Sequence, residues 1–192
     1  MRHPLIITLL ALAALQAVPS DPLQAQDAKL RTRCGETIDL FKKSDPSLEK
    51  YFGSAVGYAI FPSVGKGAFV VGGAAGTGCL YEGGAIIGQA KLGQVTIGLQ
   101  LGGQSYAEVI FFENRDAIDA FKGNSFELSA QVSAVAAASG ASANAKYRLG
   151  VLVFTLAKTG LMYEASVGGQ KFTFKPLAAD TAAKPEADKP KD

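Results

Sequence analysis

Between residues 53 and 103 apolar positions alternate with small or polar ones, most cleanly in Gln94-Val95-Thr96-Ile97-Gly98-Leu99-Gln100-Leu101. A period of two held over eight residues predicts a half-buried strand with Val95, Ile97, Leu99 and Leu101 on one face. Upstream the period changes. Leu30, Cys34, Ile38 and Phe41 recur at helical spacing, which predicts an amphipathic helix over 27–43. Ser44 or Asp45 can cap a second, short helix that starts at Pro46 and ends at Gly53, with Leu48 and Phe52 on one side.

Strands follow at 56–62, 68–74, 77–81, 85–92, 94–101 and 106–113, with a turn over 63–67, another at Glu82-Gly83-Gly84 and a hairpin about Gly93. Val109-Ile110-Phe111-Phe112 is apolar in both registers, so its strand is covered from both sides. Asn114 caps a helix over 115–122 whose Ala117, Ile118 and Phe121 turn inward, and Gly123 closes it. Residues 126–134 and 141–146 alternate again. The last strands are predicted at 151–156, 161–167 and 171–175, with Gly168-Gly169 as a two-residue hairpin turn.

Glycine changes the picture. Residues 53–103 hold 15 of the 22 glycines and only three charges, Lys66, Glu82 and Lys91. Glycine weakens a strand unless the backbone must bend or approach something closely. The fold class expected is therefore α+β and mostly β: an antiparallel, strongly curved, barrel-like sheet with an N-terminal amphipathic helix and one or two short helices packed on it.

Residues 1–25 read as a secretory signal peptide: Met1-Arg2-His3, an apolar run over 5–18, Pro19, and a small residue at Ala25 where cleavage is expected. The expected product is exported, to the periplasm or cell envelope. Residues 26–176 then form one domain, helical over 26–53 and β-rich over 54–176. Residues 177–192, dominated by Ala, Pro, Lys and Asp, read as a disordered tail. Cleavage would remove His3, the one histidine, and with it every histidine-dependent triad or zinc site.

Cys34 and Cys79 are either a disulfide, which suits an exported chain, or two buried thiols packed as small hydrophobes. Residues 26–176 carry 15 Lys and Arg against 12 Asp and Glu, a net +3, too mild for a nucleic-acid binder.

Gly72-Gly73-Ala74-Ala75-Gly76-Thr77-Gly78 fits neither a dinucleotide fingerprint nor a P-loop, and no helix follows it. No nucleophile elbow occurs, since Ser105 precedes Tyr106-Ala107. The carboxylates are scattered. No catalytic residue, cofactor or metal ligand is assigned, and the chain is expected not to be an enzyme.

The run Gly57-Tyr58-Ala59-Ile60-Phe61-Pro62-Ser63-Val64-Gly65-Lys66-Gly67-Ala68-Phe69-Val70-Val71-Gly72-Gly73 resembles the opening of the SYLF domain, a lipid-binding module also called the Ysc-type actin-binding domain. Gly76-Thr77-Gly78, the stretch 98–105, Val109-Ile110-Phe111-Phe112 and Lys158-Thr159-Gly160-Leu161-Met162 extend the resemblance over roughly residues 30–175. It implies a binding module for membranes, and Lys66 and Lys158 fall where the family pattern has lysine. Eukaryotic members are associated with phosphoinositide-rich membranes and some bundle actin. The exported start departs from them, so actin is not expected as a partner.

The function expected is thus non-enzymatic binding of an anionic phospholipid or phosphoinositide-like head group. The candidate lipid-binding residues are Lys66, Lys158, Lys91, Lys146 and Arg148. Lys29, Arg33, Lys42 and Lys43 are candidates for a membrane-facing helix that could insert its apolar stripe. The alternatives are a structural or protein-interaction component of the envelope with no specific lipid, and a small outer-membrane barrel.

Overall fold

The computed structural model describes residues 22–68, 71–97, 104–124, 126–129, 131–159 and 167–177. The signal-peptide core, the strand expected at 161–167 up to Ser166 and the tail from Ala178 lie outside the described residues. So do Gly98–Gly103, the end of the alternating stretch.

Helix α1 (Pro22–Ser44) is followed by a single 3₁₀ turn (Pro46–Leu48) and α2 (Glu49–Ser54). Strands β1 (Gly57–Ala68), β2 (Val71–Glu82), β3 (Ala85–Ile97) and β4 (Gln104–Phe112) come next. Helix α3 (Arg115–Lys122) precedes β5 (Ala134–Ala136), β6 (Val151–Thr159) and β7 (Lys171–Pro176). The seven strands form one sheet in the order β5-β6-β4-β1-β2-β3-β7. Asn114 caps α3 through its side chain, which accepts from Ala117 N, and Ala117, Ile118 and Phe121 are buried as their spacing predicts.

The sheet is open, which corrects the barrel. Among the described residues no ladder joins β5 to β7. Instead one connecting segment reaches both edges. At its start Leu128 N donates to Gln170 O (2.9 Å) and Gly169 N to Leu128 O (2.7 Å), beside β7, and at its end it becomes β5 against β6. The β5–β6 pair is parallel, so the sheet is mixed rather than purely antiparallel.

Strand lengths are a second correction. The turn expected at 63–67 is strand: β1 runs on through it, absorbing a bulge between Ile60 and Val64. The break expected at Gly93 is also strand, because Gly93 pairs with Ala75 on one side and Lys171 on the other. Glycine here serves close approach rather than turning. A Cβ on Gly78 would lie 2.1 Å from the Ile60 carbonyl oxygen, and one on Gly88 2.4 Å from that of Lys175.

The face of β3 also differs from expectation. Ala90 and Leu92 point into the core, and the period of two then carries Gln94 inward and leaves Val95 79% exposed. Residues 126–134 and 141–146 are irregular apart from β5, with one isolated bridge at Glu127. Alternation misled there because the loop over 138–145 is held by side chains of the helical corner, as described below.

Two apolar layers result. On one face of the sheet Phe61, Tyr106, Ile110, Phe112, Val153 and Phe172 pack with α3. On the other Ile60, Cys79, Val109, Phe111 and Phe154 pack under α1 and α2. Alternate residues of Val109–Phe112 enter opposite layers, as a run apolar in both registers requires.

Candidate functional site

Helix α1 lies on the sheet through Leu30, Cys34, Ile38 and Phe41, and Cys34 is joined to Cys79 of β2 by a disulfide. The apolar stripe is therefore occupied by the protein's own core and is not free to insert into a membrane. What α1 presents outward is its basic side. Beyond Cys34 toward its start, α1 overhangs the outer surface of β3 and β7, where Gln89, Lys91 and Lys175 stand.

The result is a groove of about 870 Å³ lined by Lys29, Arg31, Arg33, Lys91 and Lys175, with Asp27 as its one acid. Asp27 accepts a hydrogen bond from Gln89 Nε2, which ties the helix to the floor of the groove. Leu30 and Leu177 supply apolar wall. Among the described residues none of the five cations takes part in an ion pair, whereas Lys42, Arg115, Lys122 and Lys171 each do.

The candidates from sequence divide into groups. Lys29, Arg33 and Lys91 line this groove. Lys42 and Lys43 do not; Lys42 pairs with Glu49 at 2.8 Å and lies 5.3 Å from the centre of the Phe52 ring. Lys146 and Arg148 line a separate, smaller depression beside β5 and β6. Lys158 is exposed on β6, next to Thr159, whose partner is Ser105. Lys66 sits opposite Gln104 on β1, so the backbone brings these two to the same end of the sheet with β4 between them. Arg31 and Lys175 join the groove only through tertiary structure. Arg31 belongs to the flanking charge of the helix, and Lys175 comes from a strand 84 positions further on than Lys91.

Two carboxylates are buried, the cap candidate Asp45 and Glu108. Asp45 caps the 3₁₀ turn and is completely buried. It accepts from Ser47 N (3.1 Å) and Ser47 Oγ (2.6 Å), and from Gly140 N (3.2 Å) and Ser142 N (2.7 Å) of the distant loop. Burial opposes its ionisation, but the bonds from Ser47 and Ser142 outweigh that and hold its carboxyl down at about 2. Tyr51 Oη adds bonds to the Ser142 and Ala145 carbonyls at 3.0 and 2.7 Å.

Glu108 is the opposite case. It stands on β4 in the α3-side core, fully buried, with Oε2 accepting from Gln170 Nε2 at 3.0 Å and Oε1 without a partner. Burial pushes its carboxyl up to about 8, and the Gln170 bond offsets only part of the rise. A glutamate inside a strand that is apolar in both registers was the sequence signal for it. Its neighbours are Gln170 and the Tyr106 hydroxyl, to which Gln170 also donates, and it lines neither the α1 groove nor the depression beside β5 and β6, so it is a buried acid of the core. Among the described residues no group of three His, Cys, Asp or Glu is placed to hold a metal ion.

Residues 93–180 match the family model Ysc84, described as "Las17-binding protein actin regulator". This part of the chain is similar to the Ysc84 (SYLF) family, in line with the resemblance of its motifs. The match runs from the middle of β3 past β7, so it includes Lys175, while α1, α2, β1 and β2 precede it. A relative from Aeromonas veronii, "Beta cell expansion factor A", is 26% identical over 162 residues, which is 79% of this chain and 59% of that protein. The chain thus spans less than two thirds of that relative's length. The family is one of binding modules without catalytic activity of their own.

Proposed function

We propose that this protein is a non-enzymatic envelope module that binds anionic lipid head groups in the groove between α1 and β3–β7. The observation that carries this reading is the gathering of Lys29, Arg31, Arg33, Lys91 and Lys175 around a single acid, none of the five in an ion pair among the described residues. Like charges held together without acids weaken a fold slightly, so the arrangement suits an anion from outside. Several fixed cations in a concave site match a phosphate-bearing head group better than they match a neutral ligand. The groove's cations all follow Ala25, so cleavage there would leave them in place. The Cys34–Cys79 disulfide supports an oxidising compartment, and hence export. Intact mass of protein from the envelope fraction would report the cleavage position.

Sedimentation with phosphatidylglycerol-containing and pure phosphatidylcholine vesicles tests the lipid reading. Binding is expected to the anionic vesicles and to fall as salt rises. Replacing Lys29, Arg33 and Lys91 together with Gln is expected to weaken it about 100-fold, at about 1 kcal/mol per cation near the surface. Equal binding to both vesicles, or to neither, leaves the alternative of an envelope component with no specific lipid.

A further inference from the structure

At the other edge of the sheet the chain enters β6 through a tight turn. Arg148 N donates to Val151 O at 2.8 Å and Val151 N to Arg148 O at 3.1 Å, which makes Leu149 and Gly150 the two central residues. Both have positive φ, 52° and 76°. That is the hairpin turn ordinarily given to Asn-Gly, because a branched side chain is disfavoured in the left-handed region. Leu149 is also 68% exposed. Neither its backbone conformation nor its surroundings favour leucine in the folded protein.

The turn is held firmly in spite of this. Glu113 N donates to Gly150 O at 2.9 Å, and Tyr147 meets the Tyr51 ring edge-on with centres 6.0 Å apart. Lys146 and Arg148 on either side of Tyr147 are exposed and belong to no ion pair among the described residues. Behind the turn lies a depression of about 280 Å³ to which Ser133, Asn144, Lys146 and Arg148 contribute two cations, a hydroxyl and an amide.

We propose that this turn is a second membrane contact: Leu149 enters the interface of an anionic bilayer while Lys146 and Arg148 engage the head-group phosphates beside it. An apolar tip fixed between cations gains from burial in the acyl boundary and from the negative surface at once. The proposal rests on the lipid reading above and adds a site near the opposite edge of the sheet from the α1 groove. A strained exposed leucine is then explained by what it does outside the fold.

The test uses the full chain and two variants with phosphatidylglycerol-containing vesicles. Leu149→Asn suits the positive φ, so its melting temperature should equal or exceed that of the wild type, while its vesicle affinity falls about tenfold. The chain contains no tryptophan and six tyrosines, so Leu149→Trp gives a single tryptophan whose emission, excited beyond the tyrosine absorption, should shift to the blue on anionic vesicles and stay put with phosphatidylcholine. Wild-type affinity in Leu149→Asn, or an unmoved Trp emission, overturns the wedge and leaves the α1 groove standing. A protein partner captured through Leu149 without any effect on vesicle binding overturns it too. Failure of the wild type to bind anionic vesicles overturns both readings.

Discussion

The α1 side of the sheet has two halves. Over β6, β4, β1 and β2 it is covered by helices, with Tyr51, Phe52, Phe111 and Phe154 packed ring to ring. The disulfide pins α1 there, and Asp45 satisfies four donors, two from the adjacent Ser47 and two from the distant loop at Gly140 and Ser142. Over β3 and β7 the helix overhangs a polar floor, and five cations stand around one acid. In the covered half polar groups serve the fold, and losing one strands its partners. In the open half Asp27 ties helix to sheet, and the five cations make no ion pair among the described residues. That difference separates the residues that keep the protein folded from those free to meet a ligand.

The sharpest way to break the comparison is in the covered half. Replacing both Cys34 and Cys79 by Ala releases a loop of 45 positions, and a loss of about 4 kcal/mol is expected in urea unfolding. Asp45→Ala comes next. It leaves the Ser142 and Gly140 amides buried without an acceptor, and about 3 kcal/mol should be lost, with amide exchange accelerating over 138–145. The same carboxylate sets an acid limit. Its pKa is lowered on folding, so its contribution is complete above about pH 4 and should disappear as pH falls toward 2.

Glu108 sharpens the contrast from the interior. Its pKa is raised on folding, so the unfolded chain gives up the proton first and stability should fall as pH rises from about 4.5 to 8. Glu108→Gln is expected to raise stability at pH 8 by on the order of 1–2 kcal/mol and to change little at pH 4. Two denaturation series at those pH values check it. The smallest effect on stability belongs to the open half: the Lys29, Arg33, Lys91 triple Gln variant should stay within about 0.5 kcal/mol of the wild type in urea. A large loss there would mean that the groove's cations hold the fold together, and the division of the two halves would fail.

Much of the architecture was legible. The stripe Leu30-Cys34-Ile38-Phe41, the caps Asp45 and Asn114, and the two-sided run Val109–Phe112 all act through neighbours within a few positions, where spacing is informative. The errors share one cause. Gly93 and the 63–67 stretch look like turns locally, but partners on both sides keep them in strand, and pairing is a long-range matter. Val95 and Gln94 exchanged the faces their polarity suggests because Ala90 and Leu92 had already set the register of β3. Alternation at 141–146 had no strand to join: Asp45 claimed the Ser142 amide, and those of Ala141, Ala143 and Ala145 turned to nearby carbonyls.

By itself the sequence determined which segments become helix, which run apolar on both faces, and that residues 53–103 are nearly free of charge, since these depend on composition and short-range period. Only the tertiary structure decided that the sheet stays open, that Arg31 and Lys175 join Lys29, Arg33 and Lys91 around one groove, and that Leu149 stands exposed in a left-handed turn. Those outcomes depend on which distant strands pair and where α1 comes to rest, and no local pattern encodes the meeting of residues so far apart along the chain.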